Sequence, residues 1–136
     1  MNRQEIRTEI VNLLKVKFDN VDDLFIFPEE IAEAQERFPY VTILFGITRM
    51  QEGTRRYIQE MDIIAIDKGE NADLVWKQDQ LINNIFQTLH KAATVMVDIQ
   101  EVDSQNLFKP FGLDMGLYPP YCGVRFHVRV PGAIIF

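Results

Sequence analysis

At 136 residues the chain is long enough for one domain (residues 1–136) that buries roughly two-thirds of its unfolded surface without help from a metal or disulfide. A hydrophobic share of 47% and a charged share of 25% are those of an ordinary globular protein. The formal net charge of -6 argues against a generic nucleic-acid binder, and the single cysteine, Cys122, excludes an intramolecular disulfide and fits a reducing compartment. No apolar run approaches the roughly 20 residues that span a bilayer, and no signal peptide is visible, so synthesis and folding in a cytoplasm are expected.

The first element is a helix from about Asn2. Asn2 and Glu5 have capping-box spacing, and Ile6, Ile10, Leu13 and Leu14 recur at helical period until Asp19-Asn20. Leu24 to Phe27 reads as a short strand. Pro28 opens a short helix over Glu29 to Glu36, and Pro39 punctuates the entry to a long hairpin.

The hairpin carries most of the information. Its first strand runs Tyr40 to Arg49, its turn is Met50 to Thr54, and it returns from about Arg55 to Asp67. Val41, Ile43, Phe45 and Ile47 point one way and Leu44 the other; Tyr57, Met61, Ile63 and Ala65 oppose Ile58, Ile64 and Ile66. A sheet with one wet face alternates more cleanly. Apolar residues on both faces suggest a partner that covers the second one, most simply another copy of the chain, with Leu44 and Ile58 near the contact.

A second helix follows, capped by Asn71 or Asp73, with Leu74, Leu81, Ile82, Ile85, Phe86 and Leu89 as its apolar stripe and His90 near its C-terminus. Val95, Val97 and Ile99 alternate as a half-buried strand. Residues 102–120 read as a long loop. In the last strand Cys122, Val124, Phe126, Val128 and Val130 lie on one face, and Gly123, Arg125, His127 and Arg129 on the other, until Pro131-Gly132. The order α-β-(short α)-β-β-α-β-β predicts an α+β fold: one mainly antiparallel sheet, a long hairpin, and two helices on one face.

Candidate chemistry fails on spacing. Cys122 and His127 point to opposite faces of a strand and cannot form a nucleophile–base pair or share a metal. His90 is explained by the helix dipole. Asp19 to Asp23 lacks the liganding oxygen and the glycine of a calcium loop, having Val21 and Leu24 there. Gly112 and Gly116 precede no Lys-Ser/Thr and no helix. Glu60 and Asp62 share a face, read here as a charged edge or subunit contact. No enzyme activity, metal or cofactor is expected. Arg125, His127 and Arg129 read as a solvated or interface face. Arg49, Arg55 and Arg56 cluster at the hairpin tip, either for solubility or as a docking surface. The apolar end Ile134, Ile135 and Phe136 must dock on its own sheet or on a neighbour.

With that order in place, the chain resembles the tail terminator (tail completion) proteins of long-tailed bacteriophages. The phrase Glu36-Arg37-Phe38-Pro39-Tyr40-Val41-Thr42-Ile43 leading into a long hairpin carries the resemblance, which covers nearly the whole chain. It implies a structural virion protein that forms a homo-oligomeric ring, typically a hexamer. Such a ring caps the tail tube, stops its growth and joins the tail to the head's connector or head-completion protein. DNA would pass through without specific binding, and no membrane is involved. Its place would be the tail end or neck of the virion, after synthesis in the host bacterial cytoplasm. Rival readings are another phage neck, baseplate or minor tail component and, more distantly, a small cytoplasmic ligand-binding domain or enzyme.

Overall fold

The structure is a computed structural model that describes residues 2–22, 38–53, 55–92, 95–104 and 120–133. It is α+β, with helices α1 (Arg3–Lys15) and α2 (Leu74–His90) and strands β1 (Asn20–Asp22), β2 (Tyr40–Met50), β3 (Arg56–Lys68), β4 (Asp98–Asp103) and β5 (Tyr121–Ala133). The five strands form one sheet in the order β1-β2-β3-β5-β4, and every pairing is antiparallel except β1 with β2.

Helix α1 starts where the capping box requires. The Asn2 side chain accepts from the Glu5 amide at 2.8 Å, and the Asn2 amide donates back to the Glu5 carboxylate at 3.3 Å. It ends at Lys15, earlier than the sequence suggests. Phe18 turns back into the core, its amide bonded to the Leu14 carbonyl at 2.9 Å, and residues 20–22 are taken up by pairing with Tyr40, Val41 and Thr42. The first strand therefore comes at Asn20–Asp22. The expected strand at Leu24–Phe27 and short helix at Glu29–Glu36 lie outside the described residues.

The two helices cover one face of the sheet. Ile6, Ile10 and Leu14 of α1 and Leu81, Ile85 and Leu89 of α2 pack on Val41, Ile43, Met61, Ile63, Ala65, Val124, Phe126 and Val128. Each fully buried aliphatic or aromatic side chain here contributes about 1.5–3 kcal/mol. Close approach sets one requirement. A Cβ on Gly132 would stand 2.7 Å from the Tyr57 ring and 2.9 Å from Ile6, so a side chain where β5 passes under α1 would have to displace these two core residues. Gln78 ties α2 to the sheet by donating to the Gly123 carbonyl at 2.8 Å.

Four further expectations are corrected. Helix α2 has no side-chain cap, because a 3-10 turn over Asn71–Asp73 runs straight into it and leaves Asp73 with helical backbone. The first hairpin strand does not alternate to its end, since the β2–β3 register shifts between Phe45 and Thr48 and leaves Ile47 60% exposed. Gln59, fully buried, fills that bulge: it donates to the Gly46 carbonyl at 3.2 Å and accepts from the Thr48 hydroxyl at 2.6 Å. Pro131-Gly132 does not end β5, which pairs with β3 as far as Ala133. β4 starts only opposite Arg129, so among the described strands Pro131 has a neighbour on one side alone, where a residue without an N–H is tolerated. Finally, β4 extends to Asp103 and shortens the expected loop, whose residues 105–119 lie outside the described ones.

Candidate functional site

The face of the sheet away from the helices divides into an apolar and a charged half. At one end Tyr40, Thr42, Ile64 and Ile66 are buried within the single chain. Ile64 and Ile66, part of the second apolar face for which a partner was expected, are thus covered within the chain. Leu44, opposite Asp62, and Ile58, opposite Arg49 and Pro131, are half-buried on the same face.

Beside them lies a network of charges built by strand register. Directly opposed residues of an antiparallel pair share a face. β3 and β5 place Glu60 across from Arg129, Asp62 across from His127 and Ile64 across from Arg125; β4 adds Asp98, Glu101 and Asp103 across from Arg129, His127 and Arg125. Arg125 is the hub. Its Nη1 donates to Asp62 at 3.2 Å and its Nη2 to Glu101 at 2.8 Å, with Asp103 at 3.7 Å. The His127 Nδ1 lies 2.8 Å from the Asp62 carboxylate, within hydrogen-bond reach. Glu60 accepts from Arg129 at 3.0 Å and from Arg49 at 3.3 Å.

Glu60, Asp62 and Arg125 are buried. The reading of Glu60 and Asp62 as a charged edge, and of Arg125 as part of a solvated face, is thereby corrected, whereas the His127 and Arg129 side chains keep 30% and 43% of their surface exposed. β3 is the central strand, so its polar side chains find partners on both neighbours. Burial alone would raise the Glu60 carboxyl; the Arg129 hydrogen bond and the Arg49 and Arg129 charges outweigh it and hold it below its ordinary value. The Nε of Arg125 is buried without a partner. The three carboxylates on Arg125, those of Asp62, Glu101 and Asp103, already neutralise the guanidinium, so the unpartnered atom does not make an anion site.

The arginines of the hairpin tip separate. Arg49 reaches back along the sheet to Glu60, while Arg55 and Arg56 stay exposed beside Gly53, the one described residue with positive φ, at +74°. From Gly46 to Met50 every residue of β2 is exposed, and Met50 is 57% exposed. The distal part of β2 is thus an exposed arm lying along β3, whose Tyr57, Gln59 and Glu60 are themselves buried. Ile134, Ile135 and Phe136 lie outside the described residues.

Sequence reasoning missed a second feature. Phe86, Leu89 and His90 of α2, Val97 just before β4 and Ile99 within it line an open apolar cleft of about 450 Å³. Phe86 meets Phe126 edge-on at 5.1 Å but keeps an exposed flank. The signal was present in Phe86, which sits at the margin of the helix stripe, and in the apolar Val97 and Ile99, before and within what proves to be an outer strand among the described ones.

Neither imidazole meets the thiol. Cys122 lies in the core, where burial and the nearby Asp67 charge push its thiol up to about 11, and His127 lies on the other face. Among the described residues no group of three or more His, Cys, Asp or Glu could hold a metal ion, and no described helix is long and apolar enough to cross a membrane. No protein-family model matches the chain, and no curated protein is significantly similar to it in sequence.

Proposed function

We propose that this chain is a structural virion protein of the tail-terminator kind, whose copies form a ring on the end of a phage tail tube. The observation that carries the reading is the exposed arm. A domain this small has little reason to hold Ile47 and Met50 in water at the end of a long strand unless another surface takes them. The α+β order, the Phe38-Pro39 entry into the hairpin and the acidic balance of -6 support the same reading.

The function is recognition by shape, with the ring occupying the site where the next tube ring would add. Each subunit contact can be weak, because several identical contacts act together. Acidic side chains toward the lumen would repel DNA phosphates and let the strand pass without being gripped. The other face of the ring would receive the head-completion or connector protein.

The test is sedimentation and mass photometry of the purified chain, followed by negative-stain imaging and by addition to polymerising tail tube protein. A discrete multimer, ring-shaped in images, that halts tube growth at substoichiometric amounts is the expected result. A chain that stays monomeric at high micromolar concentration, with and without tube ends, would overturn the reading.

A further inference from the structure

We infer that copies of this chain join head to tail, the hairpin arm of one docking along β4 and into the α2–β4 cleft of the next. The inference rests on the ring reading above and names the surfaces that would build it.

The two surfaces lie at opposite edges of the sheet. β4 is one outer strand among the described ones. On the other side β1 pairs only with Tyr40–Thr42, which leaves the distal part of β2 as an outer strand among the described ones. Different patches at opposite edges cannot satisfy each other within a two-fold dimer interface; they generate a ring or an open filament.

The faces match residue by residue. On the arm, Met50 pairs with Tyr57 and so lies on the helix side, whereas Arg49 pairs with Ile58 and lies on the charged side. On β4, Ile99 pairs with the core residue Val128 and lies on the helix side beside the cleft, whereas Asp98 and Glu101 pair with Arg129 and His127 on the charged side. If the sheet of one copy continues into the next without inversion, Met50 arrives at the cleft under α2 and Arg49 arrives at the acidic side of β4. The pairings also make β2 and β4 antiparallel to each other within a sheet, so the new pair would be antiparallel, the more stable ladder.

Charge complements shape. The strand Asp98–Asp103 carries three carboxylates and no basic residue, whereas the arm and its turn carry Arg49, Arg55 and Arg56 against the single Glu52. Like edges therefore repel and unlike edges attract, which disfavours symmetric pairing of two arms or two β4 strands.

The experiment pairs Met50→Cys with Val97→Cys in the full chain. Within one copy these positions are at opposite edges, and the native Cys122 is buried, so only a neighbour can complete the disulfide. Mild oxidation should yield a ladder of covalent multimers from the double variant and none from either single variant. Charge reversal by Arg55→Glu with Arg56→Glu should weaken association at least tenfold while leaving the far-ultraviolet circular dichroism unchanged. Absence of the ladder from a chain that sediments as a multimer, or unchanged association of the reversed arm, overturns this docking mode and leaves the ring standing. A ladder whose particles are open filaments supports the docking mode and overturns the ring.

Discussion

Removing the hub of the charge network should cost far more than removing its rim. In Arg125→Ala the guanidinium vanishes, while the Asp62 and Asp103 side chains, only 11% and 13% exposed, keep their charge. His127 remains on Asp62, but the Asp62 Oδ1 loses one of its two cationic neighbours and Asp103 loses the guanidinium 3.7 Å away. Leaving buried charge uncompensated costs about 3–5 kcal/mol, a large fraction of the roughly 5–15 kcal/mol that holds a domain together. The control is Arg129→Ala. Its side chain is 43% exposed and bonds Glu60, which keeps Arg49. Solvent screens such a contact, and a loss of about 0–1 kcal/mol is expected. In urea, with a slope near about 1.5 kcal/mol/M, the hub variant should shift its midpoint by about 2–3 M and the rim variant by well under about 1 M. Replacing both Arg125 by Met and Asp62 by Asn should recover part of the loss, because fewer charges are then stranded. Equal shifts for the two single variants would refute the reasoning, since burial would then not govern the strength of these pairs.

Acid should expose Glu60. Its folded carboxyl is held below its ordinary value of 4.5, so its contribution is present above that value and is lost as pH falls through the depressed folded value. Urea midpoints of Glu60→Gln should therefore fall less steeply with acid than those of the natural chain. Cys122 acts at the other end of the scale. Its thiol is raised from 9.0 to about 11 in the folded chain, so stability present below about 9 is lost as pH climbs toward about 11, by roughly 2–3 kcal/mol. Cys122→Ala should flatten that decline, and the native thiol should resist alkylation until the chain unfolds.

Much of the fold was legible because local and tertiary signals agreed. The Asn2–Glu5 box starts α1, Gly53 turns the hairpin, and the strict alternation from Cys122 to Val130 puts five apolar side chains into the core. Legibility failed where a partner distant in sequence decided the outcome. β1 exists because Tyr40–Thr42 offers it a ladder. Ile47 turns to water because Gln59 fills a bulge, and the cap of α2 is lost because a 3-10 turn precedes it.

The charged face shows the same limit most clearly. Arg125, His127 and Arg129 occupy alternate positions of β5, and alternate polar residues on a strand ordinarily mean water. Glu60 and Asp62 occupy alternate positions of β3, with the same ambiguity. Neither strand states that the other lies beside it. Once they pair, the carboxylates and cations neutralise one another, and Glu60, Asp62 and Arg125 leave water. The pairing also fixes register. A slip of β5 by one residue against β3 would carry Arg125, His127 and Arg129 to the helix side among Met61, Ile63 and Phe126, and would take both cations from Asp62 and leave Glu60 with Arg49 alone. Such a slip costs several desolvated charges at once. The network thus helps hold β3 in the register in which its partner β2 carries Met50 on the helix side and Arg49 on the charged side. In the head-to-tail arrangement, a misregistered arm would carry its arginines toward an apolar cleft and its methionine toward carboxylates. Burying charge in the sheet is therefore compatible with an assembly role in a way that an all-apolar second face, indifferent to slippage, is not.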